Sequence, residues 1–109
     1  MKIHRKFGCT GLAIALPGPW QLEVWFCPPG TVIPMHVHDR IQSFLVFLGG
    51  RMIWWKDNLA GRQFTWRDIG RGFLVKPNRR HGALTVTWGL FANLERWSGP
   101  KTSASIDIA

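Results

Sequence analysis

Turn residues interrupt this chain every few positions, and that leaves room only for short extended segments. Pro17-Gly18-Pro19, Pro28-Pro29-Gly30, Gly49-Gly50, Lys56-Asp57-Asn58, Gly70-Arg71-Gly72 and Ser98-Gly99-Pro100 each break regular structure. Between them lie β-branched and aromatic runs: Leu12 to Leu16, Gln21 to Cys27, Gln42 to Leu48, Met52 to Trp55, Phe73 to Val75, Leu84 to Thr87 and Leu90 to Leu94. No segment reads as a long amphipathic helix. Many short strands at close spacing predict an all-β sandwich or barrel. A chain of 109 residues has room for one such domain. We place the barrel at residues 1–97. The small, polar segment 98–109 is expected to be a C-terminal tail, frayed or laid along a partner.

Composition narrows the function classes. Hydrophobic residues make up 46% and charged residues 18%, which excludes a disordered chain. Seven Trp and seven Phe stand beside no Tyr, and large apolar rings fill barrel interiors or cover interfaces. The net charge of +8 favours anionic partners. The basic residues are scattered, and no nucleic-acid motif is visible, so nucleic acid is not the favoured partner. Cys9 and Cys27 lie in apolar stretches with no zinc-like spacing, as buried thiols of a reducing cytoplasm would. Met1 to Lys6 is basic and Phe7 to Leu16 mostly apolar. That stretch resembles a secretory leader, but Gly8, Gly11 and the absent small-residue cleavage site favour an opening strand. No apolar run is long enough to span a membrane.

One run carries chemistry. Pro29-Gly30-Thr31-Val32-Ile33-Pro34-Met35-His36-Val37-His38-Asp39-Arg40-Ile41-Gln42 reads as extended chain. Side chains alternate along a strand, so His36 and His38 share a face, and Gln42 keeps their parity if the strand continues. Neutral donors converging in this way look like part of a metal site. A third imidazole closes the downstream run Gly70-Arg71-Gly72-Phe73-Leu74-Val75-Lys76-Pro77-Asn78-Arg79-Arg80-His81.

These two runs resemble the paired motifs of the cupin superfamily. Its first motif is Gly, five residues, His-x-His, three or four residues, an acidic or amide ligand, six residues, Gly. Gly30, His36, His38, Gln42 and Gly49 keep every spacing. Its second motif is Gly, five residues, Pro-x-Gly-x-x-His. Gly70 and His81 keep the spacing, whereas Lys76 stands at the proline and Asn78 at the glycine. Asn tolerates the left-handed backbone that the glycine would supply. The resemblance implies a single-domain double-stranded β-helix, the jelly-roll barrel. It also implies a divalent metal, Fe, Ni, Mn, Zn or Cu, on His36, His38, Gln42 and His81. Glutamate is commoner than Gln at the fourth position, although Gln occurs in some small uronate-processing cupins. An amide leaves the site at +2, favours an anionic ligand and removes one potential general base. If Gln42 does not coordinate, a three-histidine face remains, as in the thiol and diketone dioxygenases of the superfamily.

Strand alternation then predicts the pocket walls: Phe44, Val46 and Leu48 with Gln42, and Ala83 and Thr85 with His81. Arg40, which shares parity with Gln42, is the best of the nearby guanidiniums to hold a carboxylate; Arg79 and Arg80 are weaker candidates. Asp39 and Asp68 are expected to cap turns. The favoured function is a metal-dependent enzyme, a dioxygenase or isomerase-like cupin, acting on a small anionic molecule. The alternatives are a non-catalytic sensor or storage cupin and a basic scaffold for a partner. The surplus of Trp points to a homodimer. Whichever of Trp54 and Trp55 faces outward is the interface candidate.

Overall fold

The structure, a computed structural model, describes residues 1–57, 59–98 and 105–107. Phe7 and Gly8 both take left-handed backbone, at φ 56° and 80°. That is the geometry of a two-residue hairpin turn. It joins β1 (Lys2–Lys6) to β2 (Cys9–Ala15), so the apolar N-terminal run is one arm of a hairpin whose other arm is basic. There follow β3 (Trp20–Cys27), β4 (Val32–His38), β5 (Ile41–Lys56), β6 (Leu59–Phe64), a single 3-10 turn (Trp66–Asp68), β7 (Gly72–Val75), β8 (His81–Trp97) and β9 (Ser105–Asp107). Asp68 caps that turn, as expected, by accepting the Thr65 backbone N–H at 2.9 Å.

Two long strands organise the barrel. β5 and β8 pair antiparallel along both halves of their length, from Ile41↔Trp97 to Lys56↔His81. The C-terminal half of β8 also pairs with β3, which continues to β2 and β1. Its N-terminal half pairs with β4, which continues to β9. β5 adds β7 on one half and β6 on the other. One sheet therefore turns a corner and packs against itself, which is a double-stranded β-helix. Gly49-Gly50, expected to end a strand, instead forms that corner. The register slips on either side of it. Gly50 has φ +81°, and a Cβ there would lie 2.0 Å from the Trp88 carbonyl oxygen. Only glycine fits. Asn78 takes the left-handed backbone anticipated for it, at φ 63°.

The core is continuous through the corner. Cys9, Cys27, Ile33, Leu45, Phe47, Met52, Trp54, Phe64, Val75, Ala83 and Phe91 form one buried cluster. Trp54 meets Phe91 edge to face at 4.9 Å, a pairing that stabilises by about 1 kcal/mol beyond its buried area. Cys9 and Cys27 are buried as expected. They are also neighbours, with their sulfurs 2.7 Å apart.

The outer face of the β2-β3-β8-β5-β7 sheet is also apolar. Cross-strand partners share a face, and the register places Leu12, Val24 and Ala92 side by side, then Ile14, Leu22, Leu94 and Phe44, with Leu74 beyond. Leu12, Ile14, Phe26, Phe44, Leu74 and Trp88 are all exposed. Trp54 points inward and Trp55 is half-buried, so the exposed apolar surface lies on this sheet and not at Trp55. Residues 105–107, inside the segment expected to be a tail, pair with β4 beside His36 and His38. No helix of the described residues is long and apolar enough to cross a membrane.

Candidate metal centre

A local irregularity in β4 aims the first two histidines. The register against β8 shifts between Ile33 and His36, so these residues, three apart, both line the interior. A bulge of this kind re-aims a side chain. His36 then pairs directly with His81 at the start of β8. The rings of His36 and His81 are 4.2 Å apart, those of His36 and His38 5.0 Å, and those of His38 and His81 5.1 Å. One nitrogen from each ring lies within 4.8 Å of the others, so the three could hold a metal ion.

The environment keeps His38 and His81 neutral. Burial pushes His38 down to about 3, helped by the charges of His81, His36 and Lys6. Burial, with His36, pushes His81 down to about 4. A neutral imidazole is the ligating form. His36 Nδ1 lies 2.8 Å from the Pro34 carbonyl, and His81 Nδ1 lies 3.3 Å from the Arg79 carbonyl. A carbonyl only accepts, so both contacts place the proton on Nδ1 and leave Nε2 as the donor atom for a metal.

The other residues expected at the site lie elsewhere. Asp39 and Arg40 form a bend between β4 and β5. This bend resets the side-chain parity carried forward from His38. On β5 the buried residues are Ile41, Ser43, Leu45 and Phe47, whereas Gln42 and Val46 are half-buried and Phe44 exposed. Gln42, Phe44 and Val46 therefore face outward, and none lines the cavity. Arg40 is exposed, 4.0 Å from Asp39. A surface pair like this contributes about 0–1 kcal/mol and does not hold Arg40 over the site. Thr85 is buried, but its hydroxyl donates to the Pro28 carbonyl and accepts the Thr31 backbone N–H at 2.9 Å. It ties β8 to the β3–β4 turn and does not line the cavity. Arg79 lies 3.8 Å from Asp57, at the surface.

The histidines open into a cavity of about 430 Å³, within the range that takes one small molecule. Its lining includes residues that sequence reasoning missed. The basic arm β1 contributes Lys2, His4, Arg5 and Lys6. Gln21, Glu23 and Trp25 project inward from β3, and Asn93, Glu95 and Trp97 from β8. Gly11, opposite Trp25, leaves room for the indole, which donates to Glu23 at 3.2 Å. Alternation was legible in Gln21-Leu22-Glu23-Val24-Trp25, but an ordinary apolar core would have put Leu22 and Val24 inside. The parity is right and the polarity inverted.

Burial, and then the charge of Glu23, raises Glu95 well above the usual carboxylate range, to about 8. Glu95 is 2% exposed. The arrangement can bind a metal at one group of residues and present a neutral carboxylic acid at another.

No protein-family profile matches the sequence, and neither does any curated protein. Solved structures do match. KdgF from a Halomonas species superposes with a TM-score of 0.76 at 16% identity, covering 91% of this chain and 90% of that one. An RmlC-like cupin from Shewanella frigidimarina gives 0.73 at 19% identity, covering 89% and 84%. A structure from a study of DMSP lyases gives 0.78 at 17% identity, covering 98% of this chain and 57% of that one. At such identities the likeness speaks to the fold, and it agrees with the strand order and the corner at Gly49-Gly50. The fold of this chain is the double-stranded β-helix that these structures share.

Proposed function

We propose that the protein is a metal-dependent cupin enzyme, dioxygenase or isomerase-like, acting on a small anionic organic molecule at a three-histidine centre. The observation that carries this reading is the convergence of His36, His38 and His81 at one wall of a cavity. The donor set fits a divalent cation, because three imidazoles, two of them buried and one half-buried, supply nitrogen donors and no anionic charge. A bound cation would supply Lewis acidity and, if redox-active, electron transfer. The residues around it do the rest. The Pro34 and Arg79 carbonyls orient the rings of His36 and His81. Lys2, Arg5 and Lys6 make the cavity attractive to an anion. Ile33, Ile41, Leu45 and Phe91 exclude water.

The structure of a protein from a study of DMSP lyases shares this fold, which is compatible with a small-molecule reaction. We also propose that the chain works as a homodimer joined through the outer apolar face centred on Phe44, Leu94 and Leu22. A contiguous apolar sheet face on a small protein marks an interaction surface.

Elemental analysis of the purified protein tests the central reading. Near-stoichiometric metal that disappears in His81→Ala supports it, and the element separates redox from Lewis-acid chemistry. No metal after reconstitution with Fe, Ni, Mn, Zn and Cu would remove it.

A further inference from the structure

The chain has only two glutamates, Glu23 and Glu95. They lie on neighbouring strands and both line the cavity. The Gln21 side-chain amide donates to both, at 3.3 Å to each. Asn93 donates to the second oxygen of Glu95 at 3.1 Å, and Trp25 to the second oxygen of Glu23. The ion pairs between described residues, Arg40–Asp39, Arg62–Asp68 and Arg79–Asp57, leave both glutamates out. Burying two carboxyls side by side on neutral donors costs stability. An all-apolar wall would have been the cheaper solution for folding alone.

A second observation concerns the same wall. Asn93 is 7% exposed and lines the cavity, yet its carbonyl oxygen has no hydrogen-bond partner among the described residues. The Trp97 N–H, on the same wall, is turned toward Glu95. Buried polar atoms are nearly always paired in the working state of a protein. This wall therefore presents one acceptor, the Asn93 carbonyl oxygen, for a group not supplied by the fold.

We propose that Gln21, Glu23, Asn93 and Glu95 form a second subsite of the cavity, which takes a hydroxyl or carbonyl oxygen of a small carboxylate whose charged end lies toward the histidines, and that Glu95 exchanges a proton with that oxygen. The inference rests on the metal-centre reading only for the position of the charged end. Near neutral pH Glu95 is held as the carboxylic acid and acts as a donor. As the ligand oxygen gains negative charge, the Glu95 O–H bond breaks and an O–H bond forms on the ligand. Glu95 is left as the carboxylate. It recovers its proton from water or from a C–H of the same ligand, which then keeps the electron pair. The groups facing Glu95 are Glu23, Gln21, Asn93, Trp97 and, across the strand pair, Ser43. The same cavity holds the three histidines and Lys2, His4, Arg5 and Lys6.

The test uses full-length zinc-loaded protein, wild type and Glu95→Gln, with two probes that differ by one hydroxyl: lactate and propionate. Glutamate labelled with carbon-13 at the carboxyl yields two signals, one per residue. One signal should titrate near pH 8 and shift on adding lactate. By calorimetry lactate should bind about fivefold more tightly than propionate at pH 6.5, the equivalent of one hydrogen bond. That preference should fade above pH 8 in wild type and be independent of pH in Glu95→Gln. Two glutamate signals that both titrate below pH 6, or equal binding of the two probes at pH 6.5, would overturn the subsite. Zinc content is measured on the same samples. Wild type that fails to retain zinc removes the metal centre, and the titration then decides the subsite alone. Retained zinc without a hydroxyl preference removes the subsite and leaves the metal centre standing.

Discussion

The two halves of β8 meet the same cavity with opposite chemistry. At its start, His81 joins His36 and His38 in a cluster of bases, in which burial holds His38 and His81 neutral. Near its end, Glu95 joins Glu23 in a cluster of acids, one of them held neutral by burial and by its neighbour. Desolvation drives both shifts, downward for a base and upward for an acid. A cation bound by the histidines would make one end strongly positive, while the other end stays a neutral donor. The difference teaches how one small barrel can separate charge binding from proton donation without a second domain.

Removing a ligand should separate the two ends most sharply. His36→Ala is expected to weaken metal binding by at least about 100-fold, the upper end of what even indirect partners of a metal cost. Glu95→Gln should retain the metal. Equal metal loss in both variants, read by elemental analysis, would merge the two ends into one site.

The outer face of the same sheet gives the next effect. Phe44 is 44% exposed there. Phe44→Asp should weaken self-association by about 10-fold or more, as loss of a central apolar anchor does. Sedimentation that shows a monomer already in wild type would end the dimer proposal.

The pH dependence of stability tests the opposed shifts. His38 and His81 have folded values near 3 and 4, below their ordinary value of about 6.5. Their contribution to stability is complete above about pH 6.5 and is lost as the pH falls through those folded values. Glu95 runs the other way. Its contribution is complete below about pH 4.3 and is lost as the pH rises through about 8. Chelator-treated wild type should therefore lose melting temperature as the pH falls from 6.5 toward 4. Glu95→Gln should melt higher than wild type at pH 8 by about 4 °C or more, roughly 1 kcal/mol in a domain this size. A gain from Glu95→Gln that does not grow between pH 5 and pH 8 would contradict the raised acid.

The smallest effect is expected at Gln42. Its side chain lies outside the cavity, where a new charge is screened by solvent, so Gln42→Glu should alter metal affinity by less than about twofold. A larger change would return Gln42 to the site.

Much of this was legible in the chain. The turn spacing indicated an all-β barrel, and the His-x-His spacing with a distant His81 indicated where three imidazoles could meet. Asn78 was readable as a left-handed position because so few residue types tolerate one. Gln42, Phe44 and Val46 were misplaced for one reason and Thr85 for another. For the three β5 residues the Asp39-Arg40 bend resets the alternation, whereas Thr85 keeps the parity of His81 but packs against the Pro28–Thr31 turn. Glu23 and Glu95 were invisible because they are 72 positions apart in sequence (95 − 23) and meet only where β3 pairs with β8.

Local sequence by itself indicated most of the turns and which residues within a segment share a face, though not that β5 runs on through Gly49-Gly50. These depend on backbone sterics and a period of two, which a few neighbouring residues settle. Tertiary structure alone decided which face of each strand became the interior. That choice depends on what the opposite strands contribute, and here it put Glu23 and Glu95 inside and Leu22 and Val24 outside, against the usual preference for buried apolar groups. Closing the barrel brought the histidines of β4 and β8 together and shielded them from water. Shielding, not residue type, sets both the neutral imidazoles and the protonated acid.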